Sequence, residues 1–295
     1  MKFPRFNGAI AAAPLPDSPL AYNEDTIVNL ILQILNLLTR ICHIKPGELV
    51  YPSPSESSGG TSRHQDLDLT LCNTELILSP RVTSLLGRIP YFIPDLGSGP
   101  QIAFGSFLPN YLDAAVLHAS RRVGGRPPWL GDAEVPGEPL RPVDVILTYG
   151  IDLDDMDEMW ILDTAANTIR RCCPSNGCPS LDAFRRAFPN YQAELPDEPE
   201  SYRNAPALHA PTVLASYIED LRSLLFLPEW EMNWREVCFA LIEDYGWGGD
   251  AFREEDWARD RMVVWEEIDK WSYETYGDDQ TGFEPPAVRY LPPWV

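Results

Sequence analysis

Residues 27 to 44, IVNLILQILNLLTRICHI, are an apolar run of 18 residues, close to the ~20 that a bilayer-spanning helix needs. Its few polar residues decide between a membrane span and a helix buried in a protein core. Asn29, Gln33, Asn36 and Arg40 recur at intervals of four, three and four, which places them on one stripe of a helix and leaves its other faces apolar. A lipid-facing span has little use for that stripe, whereas a deeply packed helix with one wet edge accounts for it. The rest of the chain must then cover this helix, and 295 residues, 44% of them apolar, suffice. Asn23 or Asp25 can cap the helix, which must end before Pro46. Residues 1–22, punctuated by prolines, read as a flexible tail rather than a cleaved leader.

Charge restricts the partners. Against 44 acidic residues stand only 23 basic ones, a formal net charge of −21, which works against a nucleic acid or an anionic membrane surface. A protein partner with a basic or apolar surface fits best. Lysine occurs only at Lys2, Lys45 and Lys270, and neither G-x-x-x-x-G-K-[ST] nor G-x-G-x-x-G is present, so no phosphate cradle and no cofactor is expected. The six cysteines are scattered without the spacing of a disulfide framework, which points to a reduced, cytoplasmic setting.

The organisation that follows is α+β: a helical N-terminal part, a small antiparallel or mixed sheet in the middle, and a helical, Trp-rich C-terminal part. An α+β domain over 23–228 carries a Ser/Gly/Pro loop at 51–66 whose composition reads as mobile. Ser79 and Pro80 start a short helix ending at Gly87. The segment 102–108 is strand-like, 109–125 reads as a helix with Gly124 just past its end, and 125–142 holds too much Pro and Gly for regular structure. VDVILTYG (143–150), EMWILDT (158–164) and TIRRC (168–172) read as strands. A short helix is expected from Leu181 to Phe188, then a proline-punctuated loop, then a helix over 212–228. That last helix places Val213, Leu214, Tyr217, Ile218, Leu221, Leu224 and Leu225 on one face and ends at Pro228.

Residues 229–295 form an acidic extension expected to pack on that domain. They hold 17 acidic and six basic residues, a net of −11, together with seven of the nine tryptophans, and so many aromatics argue against a disordered acidic tail. Two helical faces are legible there. One is Trp234, Val237, Cys238, Leu241 and Tyr245; the other is Phe252, Trp257, Val264, Ile268 and Trp271, with the helices meeting around Gly246-Trp247-Gly248.

Candidate chemistry is sparse. Asp163 in ILDTA resembles the approach to an aspartic-protease aspartate, but the chain has no D-[ST]-G and no second copy, and Asp, Asn and small residues between two strands are turn formers. The run DLDDMDE suggests a carboxylate metal site at Asp152, Asp154 and Asp157, although Met156 and Asp157 break the EF-hand pattern. CCPSNGC (Cys172, Cys173, Cys178) lacks a fourth ligand for zinc. His43, His64, His118 and His209 lie in four separate elements with no motif tying them to a nucleophile. Tryptophan is enriched in interface cores, so Trp247, Trp257 and Trp294 with Glu254, Glu255 and Asp256 form the candidate binding surface.

From VDVILTYG through MWILDTAANTI to TVLASYIEDLRSLLFLP, about residues 143–228, the chain resembles the later half of the SUKH superfamily, which includes fungal cell-wall regulators and bacterial immunity proteins. The matching residues are Trp160, Ile161, Leu162, Asp163 and Ile169, then Tyr217, Leu221 and Leu224. The resemblance implies an α+β fold with a mixed sheet and a non-catalytic, protein-binding role in which Asp163 serves a turn. The sequence thus favours an intracellular interaction or regulatory protein, with a metal-assisted hydrolase at Asp152–Asp157 as the alternative.

Overall fold

Helix α1, Glu24–Arg40, starts where the Asn23 side chain accepts a hydrogen bond from the Thr26 amide at 3.0 Å. Asn29, Gln33, Asn36 and Arg40 are all exposed, as their spacing requires, while Ile27, Ile31, Leu35 and Leu38 are buried. No helix among the described residues is long and apolar enough to cross a membrane.

The computed structural model describes residues 21–45, 47–54, 62–93, 100–102, 106–123, 138–150, 159–172, 194–195, 197–198, 201–224, 234–249 and 251–276. The chain divides into two compact units, Met1–Trp230 and Glu231–Val295. The first is α+β. Strands β1 (Leu49–Val50) and β2 (Tyr91–Phe92) pair with each other, with a π-turn at Leu71–Glu75 and helix α2 (Pro80–Leu86) between them. Ser79 caps α2 through Val82 N, and Pro80 occupies its first turn, where a missing N–H does no harm. Strand β3 (Ser106–Phe107), helix α3 (Ala114–Ala119) and the short pair β4 (Arg122–Val123) and β5 (Glu138–Pro139) follow. The long strands are β6 (Asp144–Gly150), β7 (Met159–Asp163) and β8 (Thr168–Cys172), with β9 (Leu208–His209) leading directly into helix α4 (Ala210–Arg222).

The main sheet is antiparallel in the order β3-β6-β7-β8-β9. All five residues of its central strand, β7, are buried, because both faces of the sheet are covered. Trp160 and Leu147 face the α1 and α4 side, where Trp160 meets Tyr217 edge-to-face at 5.0 Å. Met159 and Ile161 point the other way, into a cluster with Phe107, Ile146, Tyr149 and Tyr202. The β6–β7 register shifts between Ile146 and Thr148, and the Trp160 amide there donates to Thr148 Oγ1 at 2.9 Å.

Four sequence expectations are corrected. The helix expected over 109–125 is confined to Ala114–Ala119, because the Asp113 side chain caps it and Arg122–Val123 leave it to pair with β5. The Pro/Gly-rich 125–142 segment contributes a strand, since Pro139 at a short ladder end needs no N–H to donate. The loop before α4 contains a 3₁₀ turn at Tyr202–Asn204 and strand β9. Helix α4 starts at Ala210 and stops at Arg222 rather than running to Pro228, because Leu224 turns into left-handed backbone; its buried face carries Val213, Leu214, Tyr217, Ile218 and Leu221.

Four residues other than glycine have positive φ among the described residues, Cys42, Ile77, Asn167 and Leu224. The left-handed region costs a side-chain-bearing residue about 1–2 kcal/mol. Asparagine tolerates it best, and Leu224 offsets it by burial.

The second unit is helical. Helix α5 (Trp234–Phe239) runs on into a π-turn at Ala240–Asp244, and helix α6 spans Glu254–Tyr276. Between them Gly246 takes φ 75°, and a Cβ there would lie 3.1 Å from the Ala251 carbonyl oxygen, so only glycine fits. Residues 1–20, 55–61, 151–158 and 277–295 lie outside the described residues, as do Gly124, Cys173, Cys178, the helix expected at Leu181–Phe188, Leu225 and Pro228.

Candidate functional site

The register of β6 and β7 sets Asp144 directly opposite Asp163. Two like charges across a strand pair repel, and Asp144 is fully buried, so the arrangement demands a cation. Arg141, in the turn before β6, supplies it: Nε donates to Asp144 Oδ2 at 2.7 Å, and Nη2 donates to Asp144 Oδ1 at 2.8 Å and Asp163 Oδ2 at 2.7 Å. Tyr202 adds its hydroxyl, donating to Asp144 Oδ2 at 2.6 Å. Hydrogen bonding to Asp144 holds the Arg141 guanidinium well above its usual range despite partial burial. Burial, reinforced by Asp144, likewise raises the Tyr202 phenol. Arg121, lowered by burial, donates to the Asp144 and Arg141 carbonyls at 2.9 and 2.8 Å and fixes the turn from behind.

This geometry answers the question that Asp163 raises. A catalytic aspartate pair shares a proton and turns an oxygen toward substrate. Here a guanidinium stands between the carboxylates. Asp163 Oδ1 accepts from the amides of Ala165 and Ala166, both at 2.8 Å, in the side-chain turn that Asp, Asn and small residues favour. Asn167 closes the hairpin at φ 57°. All four carboxylate oxygens are engaged by protein donors, so the cluster locks the hairpin to its surroundings and is not built for proton transfer.

A second ionic cluster braces the next strand. Arg170 donates to the carbonyls of Arg203 and Ala205 and to Glu194 Oε2 at 2.7 Å, and Arg203 also binds Glu194. Burial would raise the Glu194 carboxyl, but Arg203 and Arg170 outweigh it and hold the group below its usual range. On the opposite face of the sheet, Ile31, Ile34, Leu147, Trp160, Leu214 and Tyr217 line part of an apolar cavity of about 20 Å³. That is room for one water-sized body, far below a substrate pocket. No group of three or more His, Cys, Asp or Glu side chains among the described residues could hold a metal ion.

Two of the three tryptophans expected on a binding surface, Trp247 and Trp257, are inside the second unit. Trp257 is 2% exposed and packs edge-on to Tyr245 at 5.2 Å; Trp247 is 7% exposed and meets Phe252 at 4.9 Å. Both rings belong to that unit's core, where so small a unit gains most from large apolar side chains, rather than to its exposed surface. Glu254 and Glu255 are exposed in the first turn of α6, and Asp256 pairs with Arg253 and Arg259 at 3.3 and 2.9 Å. Trp294 and the alternative ligands Asp152, Asp154 and Asp157 lie outside the described residues. Sequence reasoning passed over Phe239, Ile242, Met262, Val263 and Tyr273, all exposed. The signal was present in RMVVWEEIDKW, whose apolar residues exceed what one helical stripe can bury. Comparison with known proteins finds no family model, curated protein or solved structure that matches the chain.

Proposed function

We propose that the protein is a non-catalytic, cytoplasmic interaction or regulatory protein that presents an acidic, apolar surface of its second unit to a basic partner. The observation that carries this reading is helix α6, where Met262, Val263 and Tyr273 stay more than half exposed beside the carboxylates of Glu266, Glu267 and Glu274. Phe239, at the end of α5, and Ile242, in the π-turn that follows it, add exposed apolar surface. Scattered exposed apolar residues need no explanation, but six in a unit of this size, Trp271 among them, set among charges that are mostly acidic, match an interface with apolar anchors and charged steering. The engaged carboxylates of Asp144 and Asp163 favour binding over chemistry, and so does the SUKH-like strand–turn–strand–helix run. The six cysteines, scattered without the spacing of a disulfide framework, fit a reducing compartment.

The test titrates the full chain with labelled, basic amphipathic helical peptides at low and high salt. Binding should weaken as salt rises and fall by about tenfold or more in the combined Met262→Ser, Val263→Ser, Tyr273→Ser variant. Absence of binding, or binding indifferent to that variant, would remove this reading.

A further inference from the structure

Where the π-turn Leu71–Glu75 ends, the Leu76 amide returns to the Leu71 carbonyl and the Leu78 amide to the Cys72 carbonyl. Ile77 between them is driven to φ 51°. Glycine or asparagine is the ordinary occupant of such a position, because a β-branched side chain in left-handed backbone crowds its own carbonyl. Leu224, in the same conformation, is 3% exposed and so contributes to the core. The left-handed backbone at Ile77 closes the turn through the Leu78–Cys72 bond, which a glycine there would do without strain, and the isoleucine side chain, 67% exposed, adds little to the core. Strain held at an exposed apolar residue points to use outside the fold.

The surroundings specify the use. Leu69, at the entrance to the same turn, is 56% exposed. Asp66, Asp68 and Glu75, also exposed, lie within three residues of one or other aliphatic residue in the chain, and residues 65–78 contain no lysine or arginine. The flanking cations are engaged elsewhere, Arg63 with Ser84 Oγ and Arg81 with the Thr164 carbonyl, each at 3.0 Å. Nucleic acid, anionic lipid and a second copy of a chain with net charge −21 are all repelled by such a face.

We propose that the 65–78 turn of the first unit is a docking surface, in which Leu69 and Ile77 anchor a basic peptide segment bearing two apolar side chains and Asp66, Asp68 and Glu75 hold its cations. This surface is separate from the one on α6 and does not depend on it.

The experiment measures fluorescence anisotropy of labelled peptides that set two leucines or phenylalanines at varied spacing among lysines and arginines. Each peptide is titrated with the full chain, with Ile77→Gly, with Leu69→Ser and with the α6 triple variant. Peptides of matching spacing should bind, lose about tenfold or more of their affinity to Ile77→Gly and to Leu69→Ser, and retain it toward the α6 variant. The thermal midpoint of Ile77→Gly should be no lower than that of the parent chain, which separates loss of binding from loss of fold. If no peptide binds, if Leu69 and Ile77 can be replaced without effect, or if only the α6 variant loses binding, the proposal fails.

Discussion

Replacing Arg141 with methionine tests whether the Asp144–Asp163 pair is structural. The substitution keeps much of the side-chain length but removes three charge-assisted hydrogen bonds of 2.7–2.8 Å, leaving two carboxylates opposed across β6 and β7. Breaking a buried ion pair on one side costs about 3–5 kcal/mol. The Arg141 side chain is 32% exposed, so water replaces part of what it gave, and Tyr202 and the hairpin amides still serve the carboxylates. The expected loss is therefore at the low end, about 3 kcal/mol. Tryptophan fluorescence would be dominated by the second unit, so hydrogen exchange read by mass spectrometry on peptides covering Met159–Cys172 is the better assay. The slowest amides there should lose roughly a hundredfold of protection. Adding Asp144→Asn and Asp163→Asn to Arg141→Met removes the repulsion and should restore most of it. A single variant within about 1 kcal/mol of the parent, or a triple variant no better than the single one, would refute the reasoning.

Two further outcomes follow from titratable groups, one half-buried and one buried. Burial lowers the pKa of His64, which its bond to the Ile89 carbonyl and the nearby Asp66 only partly oppose. The unfolded chain therefore takes up the His64 proton at higher pH than the folded one, and this contribution to stability, complete above the ordinary histidine range, is lost as pH falls through it. The gap in thermal midpoint between pH 7.5 and 5.5, a window of ~2 units around the ordinary pKa, should narrow in His64→Gln; an unchanged gap refutes the assignment. Burial, aided by Glu236, pushes the Cys238 thiol up to about 12, so iodoacetamide at neutral pH should label Cys238 far more slowly in the folded protein than in urea, as read by mass spectrometry. Equal rates in both states would contradict its place in the second unit's core.

The local rules of the chain were legible in its residues. The interval of Asn29, Gln33, Asn36 and Arg40 fixed which edge of α1 meets water, Ser79 and Pro80 fixed where α2 begins, and DTAAN between two apolar runs fixed a hairpin. Each depends on neighbours within a few positions, where periodicity and side-chain-to-backbone bonding act alone. Strands β5 and β9 were not legible, because two residues pair only when a distant partner presents its edge. The end of α4 at Arg222 was hidden for a related reason: only burial of the Leu224 side chain makes its left-handed backbone tolerable. The role of Asp163 was half legible. Its turn was in the sequence, but its opposition to Asp144 and the guanidinium between them came from strand register and a residue 22 positions away. Trp257 shows the same divide, since helical spacing placed its ring on an apolar stripe, and only the packing of Tyr245 against it decided that this ring is buried while Trp271 of the same stripe is 46% exposed. Composition fixed the chain's net charge of −21, while the tertiary structure decided which apolar residues, Ile77 and Met262 among them, stay exposed, because exposure depends on which distant elements pack over each position.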